Sequence, residues 1–275
     1  MRQDKVFTIT SSAASFPALG ECWRSRGLLW MFVRRNIKVR YTQTLLGSAW
    51  VVIQPLLLAG VLSVVMGLVL GAPSGDIPYP LFAFTGSAVW TVFQRAFSET
   101  SVSFAGSSAI IQKVYFPRII IPLAAAVTTL IEFIPVFVTL VLTTLVYGRF
   151  PGLPLLAMPL YLLLGFTLAF GTGLWVTVLD AVFRDLRLVV PSLLQLLLFA
   201  SPVMYALSAV PAKWRHLYEL NPLVAVIEGF RWSLVSGSAP PSLTALASAA
   251  AAAIILLLTG MSIFARLEQF AVDRA

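Results

Sequence analysis

The sequence predicts an all-α integral membrane protein, one transmembrane domain over residues 1–275 with six membrane-crossing helices. Three observations lead there. Of the 275 residues 59% are hydrophobic and only 11% charged, with a mean hydropathy of +0.91; a soluble domain carries about 25% charged residues. Apolar residues gather into six runs, at 47–70, 79–97, 119–147, 153–179, 188–207 and 243–264, near or above the ~20 residues that cross the hydrocarbon layer. With six crossings both termini share a side, and that side holds all 19 Lys and Arg except Arg149, Lys213, Arg215 and Arg231. Cationic loops stay in the cytosol, so both ends are expected there.

Residues 21–44 precede the first run. At helical spacing Trp30, Val33, Ile37 and Tyr41 share one face, while Arg34, Arg35 and Lys38 fall mostly on another. This is the pattern of a helix lying in the membrane interface. The plainer alternative is a basic flank that only orients the first span. The first forty-odd residues carry eight Lys and Arg and no continuous apolar core, so no secretory signal is expected.

The first run carries Gln54–Pro55, and the fifth carries Gln195 and Ser201–Pro202. Proline removes a backbone donor and loosens a helix. These two spans are the least uniform and the best candidates for a channel wall. The second run is the weakest. Between it and the third lies a short basic, aromatic, proline-interrupted stretch, residues 110–122 (Ile-Ile-Gln-Lys-Val-Tyr-Phe-Pro-Arg-Ile-Ile-Ile-Pro). The charge bias puts it in the cytosol as a compact connector.

Glu132 lies near the middle of the third run. A charge at that depth costs at least about 2.5–3.5 kcal/mol on insertion scales, so it should face protein or water. Two readings stay open: a polar spot on a pathway or subunit contact, and a hydrogen-bonded structural acid. Asp180 and Arg184, four apart, suit a local ion pair.

Residues 210–237 predict two short helices of about 9 and 15 residues, from the break at Asn221–Pro222 and the stop at Gly237. At 1.5 Å per residue these are too short to cross. They suit a hairpin that dips into the outer leaflet and returns, or a cap on the outer surface. Around it gather Tyr205, Trp214, Tyr218, Phe230 and Trp232. They read as an interfacial aromatic belt or as a stacking surface for sugars.

Bond-making chemistry is not expected. There is no phosphate-cradling Gly-x-x-x-x-Gly-Lys-Ser/Thr. One histidine, His216, and one cysteine, Cys22, exclude a zinc cluster of His and Cys alone and any intrachain disulfide. The net charge of +8 follows from cytosolic loops and does not imply nucleic acid. A chain with a structured cytosolic connector and no nucleotide motif needs an energy source in trans.

The order of parts resembles the membrane subunit of type-2 ABC exporters for lipid-linked polysaccharides such as O antigen, capsule or teichoic acid. The likeness is carried by residues 34–40 leading through Tyr41 and Leu46–Gly47 to Gln54–Pro55, by residues 112–118, and by Asn221–Pro222 through Glu228, Phe230 and Arg231. It covers nearly the whole chain. It implies a bacterial inner-membrane homodimer working with two copies of an ATP-binding cassette subunit, which would hold ATP and Mg while this chain binds no cofactor. It implies a coupling helix within 98–118, an amphipathic helix bordering substrate access, and gate helices in the outer hairpin.

On this reading Gln112, Lys113, Tyr115, Phe116, Pro117 and Arg118 dock to the ATPase, with Tyr115 and Phe116 as buried anchors. Arg34, Arg35, Lys38 and Arg40 attract the diphosphate of an undecaprenyl-type carrier. Gln54, Gln195, Tyr205, Trp214, Tyr218, Glu228, Phe230 and Trp232 form channel and gate. O antigen is the expected cargo, with capsule or teichoic acid as alternatives within the family. Outside it stand a type-2 ABC exporter of drugs or simple lipids, a proton-coupled transporter using Glu132, and a membrane glycosyltransferase, which lacks a paired-carboxylate loop here.

Overall fold

The helix with the weakest membrane signal is the one the rest of the molecule is built around. The computed structural model describes residues 24–42, 44–104, 116–183 and 185–273, and among these there are nine α-helices and no strand. In chain order they are α1 (Arg26–Tyr41), α2 (Trp50–Leu62), α3 (Tyr79–Val102), α4 (Ile120–Val146), α5 (Met158–Val182), α6 (Leu186–Phe199), α7 (Ala212–Glu219), α8 (Pro222–Leu234) and α9 (Leu243–Asp273). α3 packs against α2, α4, α5, α6 and α8.

That position explains the composition of α3. Its middle is small and polar (Ala83, Thr85, Gly86, Ser87, Ala88), and all five residues are buried. Small residues let neighbouring backbones approach. The hydroxyls need not meet lipid, because Thr85 donates to the Leu81 and Phe82 carbonyls, and Ser87 donates to the Pro55 carbonyl of α2 at 3.1 Å. A helix sheathed in protein has no need of a lipophilic surface.

Four stretches are long and apolar enough to cross a membrane: Gly47–Val69, Ile120–Val146, Leu153–Asp180 and Leu243–Arg266. They match the first, third, fourth and sixth predicted runs. The second, α3, has the length without the apolarity. The fifth falls short. A helix was expected over 188–207, but α6 stops at Phe199 after 14 residues. At 1.5 Å per residue it is about 21 Å long. The stop has a local cause: Pro202 brings no amide proton and disfavours helix at Ser201.

α2 continues into a π-helical stretch, Ser63–Val69. α5 and α9 cross closely at Gly171 and Gly260. A Cβ on Gly260 would stand 2.7 Å from the Gly171 carbonyl, so that crossing requires glycine. α1 lies on α4, with Phe32 and Val33 buried against Phe116, Ile120, Ile121 and Ala124. Val33 thus faces inward as predicted, with Ile37 packed beside it, but Trp30 turns outward at 47% exposure, with the Arg34 guanidinium 5.5 Å from its ring.

Of the predicted pair Asp180–Arg184, only Asp180 is in view. Arg184 lies outside the described residues. Asp180 is held by Arg187, Nε to Oδ1 and Nη2 to Oδ2, each 2.8 Å. α5 ends at Val182, so the Asp180–Arg187 pair joins the ends of α5 and α6.

Candidate functional site

Two polar clusters sit at opposite ends of α3. Tyr79 belongs to one and Glu99 to the other, twenty residues apart. That is about 30 Å along a helix, close to the thickness of bilayer hydrocarbon.

At the Glu99 end, the packing of α1 on α4 decides where the basic residues point. Arg34, Arg35 and Lys38 are exposed, and Arg40 turns inward. Between α1, α3 and α4 lies an open groove of about 330 Å³, lined by Arg35, Asn36, Arg40 and Glu99 over an apolar floor that includes Phe32 and Ile121. Arg40 bridges two carboxylates. Its Nη2 is 2.6 Å from Glu99 Oε1, and its Nη1 donates to Glu132 Oε2 at 2.7 Å. Arg95 Nη1 approaches the same Glu132 oxygen at 3.5 Å, and Arg95 also donates to the side-chain oxygen of Gln54 on α2.

Burial works against the Arg40 charge, but Glu99 and Glu132 outweigh it and raise its pKa. The Tyr41 hydroxyl is pushed up to about 12, by burial first and then by the Glu132 carboxylate. The sequence marked Glu132 as a buried acid without a partner. Its partners lie 92 and 37 residues earlier in the chain, and four helices meet around it. Of the two readings left open, the structural acid describes it better: its side chain is 4% exposed and one oxygen faces two guanidiniums.

The proposed docking residues are only partly in view. Gln112, Lys113 and Tyr115 lie outside the described residues. Phe116 does not project outward as an anchor. It is buried against Phe32, ring centroids 5.7 Å apart, and links α1 to α4. Pro117 and Arg118 are half-buried.

At the Tyr79 end, the early stop of α6 frees backbone carbonyls. Four of them accept from side chains. Phe199 takes the Tyr205 hydroxyl at 2.8 Å, Ala200 takes Asn221 Nδ2 at 2.9 Å, Pro202 takes Arg231 Nη2 at 2.8 Å, and Met204 takes the Tyr79 hydroxyl. Asn221 also caps α8, its side chain accepting from the Leu223 amide with Pro222 in the first turn. Arg231 is 2% exposed. Its Nη1 donates to Glu228 Oε1 at 2.8 Å, and its guanidinium lies 3.7 Å from the centre of the Phe82 ring. Gly86 makes the room: a Cβ there would stand 2.8 Å from Arg231 Nη2.

The predicted gate residues divide accordingly. Tyr205, Tyr218 and Glu228 gather here, with the two tyrosine hydroxyls 3.3 Å apart. Trp214 is exposed beside Lys213. Phe230 is a core residue rather than a channel face, fully buried and edge-on to Phe133. Trp232 packs edge-on to Tyr161. Gln54 and Gln195 both lie on exposed faces of α2 and α6. Arg95, Glu99 and Tyr79 are polar groups that residue-by-residue reading passed over, and Arg231 was noted without a role at the site. Arg95 and Glu99, four apart at the end of the second run, were the available signal.

Residues 27–235 match the family model of the ABC-2 type transporter. The chain belongs to the ABC-2 type transporter family. Relatives of this family member include the O-antigen export system permease protein RfbA of Klebsiella pneumoniae, 30% identical over 88% of this chain and 92% of that protein. The protein of the same name from Myxococcus xanthus is 28% identical over 91% and 96%. The polysialic acid transport protein KpsM of Escherichia coli is 25% identical over 86% and 91%. The ABC-2 match extends from α1 through α8, so it takes in both polar clusters.

Proposed function

We propose that the protein is the transmembrane subunit of an ATP-driven exporter that moves an undecaprenyl-diphosphate-linked polysaccharide, with O antigen as the cargo, across the bacterial inner membrane. The observation that carries this is the basic groove beside α1 in a chain whose relatives are named as permeases for O-antigen export. A guanidinium pair at the lip of an apolar groove suits a ligand with an anionic head and a lipid tail.

Two copies of this chain would pair with two copies of a separate ATP-binding subunit, which holds ATP and Mg. Six crossings per chain, with both termini in the cytosol, require α3 to cross within its protein sheath and α6 to be completed by the 200–206 break. α7 and α8 would then form a re-entrant outer hairpin. α2 and α6 would line the channel. Among the described residues, α2 with its π-helical continuation exposes Leu57, Val61 and Leu68, and α6 exposes Leu188, Leu193 and Leu196.

The KpsM relative supports capsule as the second choice of polymer. A proton pathway through Glu132 draws no support, since that carboxylate is enclosed by Arg40 and Arg95.

The test is charge reversal at the two exposed arginines, Arg34→Glu and Arg35→Glu together, with lipid-linked glycan measured at the outer face. The expected result is a loss of export at an unchanged level of membrane-inserted protein. Normal export would count against the groove as the access site.

A further inference from the structure

Arg40 has two different partners on its two guanidinium nitrogens. The Glu132 side that Nη1 meets is sealed, 4% exposed and shared with Arg95. The Glu99 side that Nη2 meets is 40% exposed, and Glu99 itself lines the groove beside Arg35. The four charges Arg40, Arg95, Glu99 and Glu132 cancel, which leaves Arg35 as the surplus cation of the groove. An anion drawn in by Arg35 therefore finds the next cation already occupied by an exchangeable carboxylate.

A carboxylate and a phosphate offer a guanidinium the same fork of two oxygens. We infer that Glu99 is an internal counter-ion standing in the place of a phosphate, and that it sets which anionic lipids the groove accepts. This rests on the proposed role of the groove as the access site for a lipid-linked diphosphate. A phospholipid with a single negative charge gains little by displacing Glu99 from Arg40, and is then repelled by it. A diphosphate brings more charge and a second phosphate for Arg35, which lines the same groove as Arg40, so it bears that repulsion better. Rejection of the abundant competitor by a like charge is selectivity through repulsion. Glu99 is a specificity-determining residue on this account, and it acts through Arg40.

The experiment uses the full transporter with its ATP-binding subunit in lipid nanodiscs. Binding of undecaprenyl diphosphate and of phosphatidylglycerol is titrated in wild type, Glu99→Gln, Glu99→Ala and Arg35→Glu, with soluble inorganic pyrophosphate as a third probe. Loss of an exposed ion pair shifts affinity by at most about five-fold. The expected result is that both Glu99 variants bind phosphatidylglycerol about two- to five-fold more tightly, with a smaller gain for the diphosphate, so that the preference between them narrows.

General loosening of the groove would weaken both ligands together and would overturn the inference, as would an unchanged preference. Failure of the underlying reading looks different: undecaprenyl diphosphate would then bind wild type and Arg35→Glu equally. Pyrophosphate binding as tightly as the lipid would overturn the assignment to a lipid head group.

Discussion

Arg231 and Arg40 turn inward at opposite ends of α3, and they are held in opposite ways. Arg231 is enclosed: Glu228, the Pro202 carbonyl and the Phe82 ring surround it, and its side chain is 2% exposed. Arg40 is 24% exposed, with one buried carboxylate and one that opens to a groove. A guanidinium bound to backbone inside the protein cannot exchange partners without unfolding its surroundings. One bound to an exposed carboxylate exchanges at little cost. The first is therefore a pin that ties the break after α6 to α8. The second is suited to meet a ligand.

The sharpest way to break this contrast is at the pin. Arg231→Ala strands Glu228 and the Pro202 carbonyl, and losing one partner of a buried pair costs about 3–5 kcal/mol. Thermal unfolding in detergent should show a large loss, and Arg231→Lys should recover only part, since an ammonium lacks the planar fork. A variant as stable as wild type would remove the distinction.

Gly86→Ala approaches the same pin from the other side. Its methyl must displace Arg231 Nη2, 2.8 Å away, or the Val203 backbone, with its carbonyl at 3.2 Å. Overpacking of this kind costs about 1–3 kcal/mol. Proteolytic nicking between α6 and α7 should increase, and a silent substitution would mean that the break is not held against α3.

At the other end Glu132→Gln keeps a hydrogen-bond acceptor but removes the charge between Arg40 and Arg95. A loss of about 1–3 kcal/mol is expected, with export following the amount of folded protein. Export abolished in fully folded protein would instead revive a proton-coupled role. The smallest stability effect belongs to Glu99→Gln, at most about 1 kcal/mol because its pair is exposed. A larger loss would make Glu99 a second pin.

Much of the architecture was legible because hydropathy reports what a helix touches. The first, third, fourth and sixth runs contact lipid or neighbours of equal apolarity, and their helices fall where the runs do. α3 was the weakest run because its neighbours are protein. α6 was overrun because an apolar stretch continues past Ser201–Pro202 while the helix does not. The two short helices α7 and α8 were legible from Asn221–Pro222 and Gly237, whose roles are local: Asn221 caps α8 and Gly237 takes φ +92° beyond its end. Phe230 illustrates the limit. Its helical spacing was plain, but an aromatic on an apolar face carries no mark of whether it meets a channel or Phe133.

By itself the sequence determined the class of molecule, the run of apolar helices, the basic character of α1 and the breaks at Ser201–Pro202 and Asn221–Pro222. All of these depend on composition or on neighbours within a few residues. The tertiary structure alone decided which arginine faces inward, that Glu132 answers Arg40 across 92 positions, and that the freed carbonyls of 200–206 are met by donors from α3, α8 and its cap. Those pairings span dozens of residues. They exist because buried charges and orphan carbonyls must find partners once helices pack, and which partners are within reach is set by the packing.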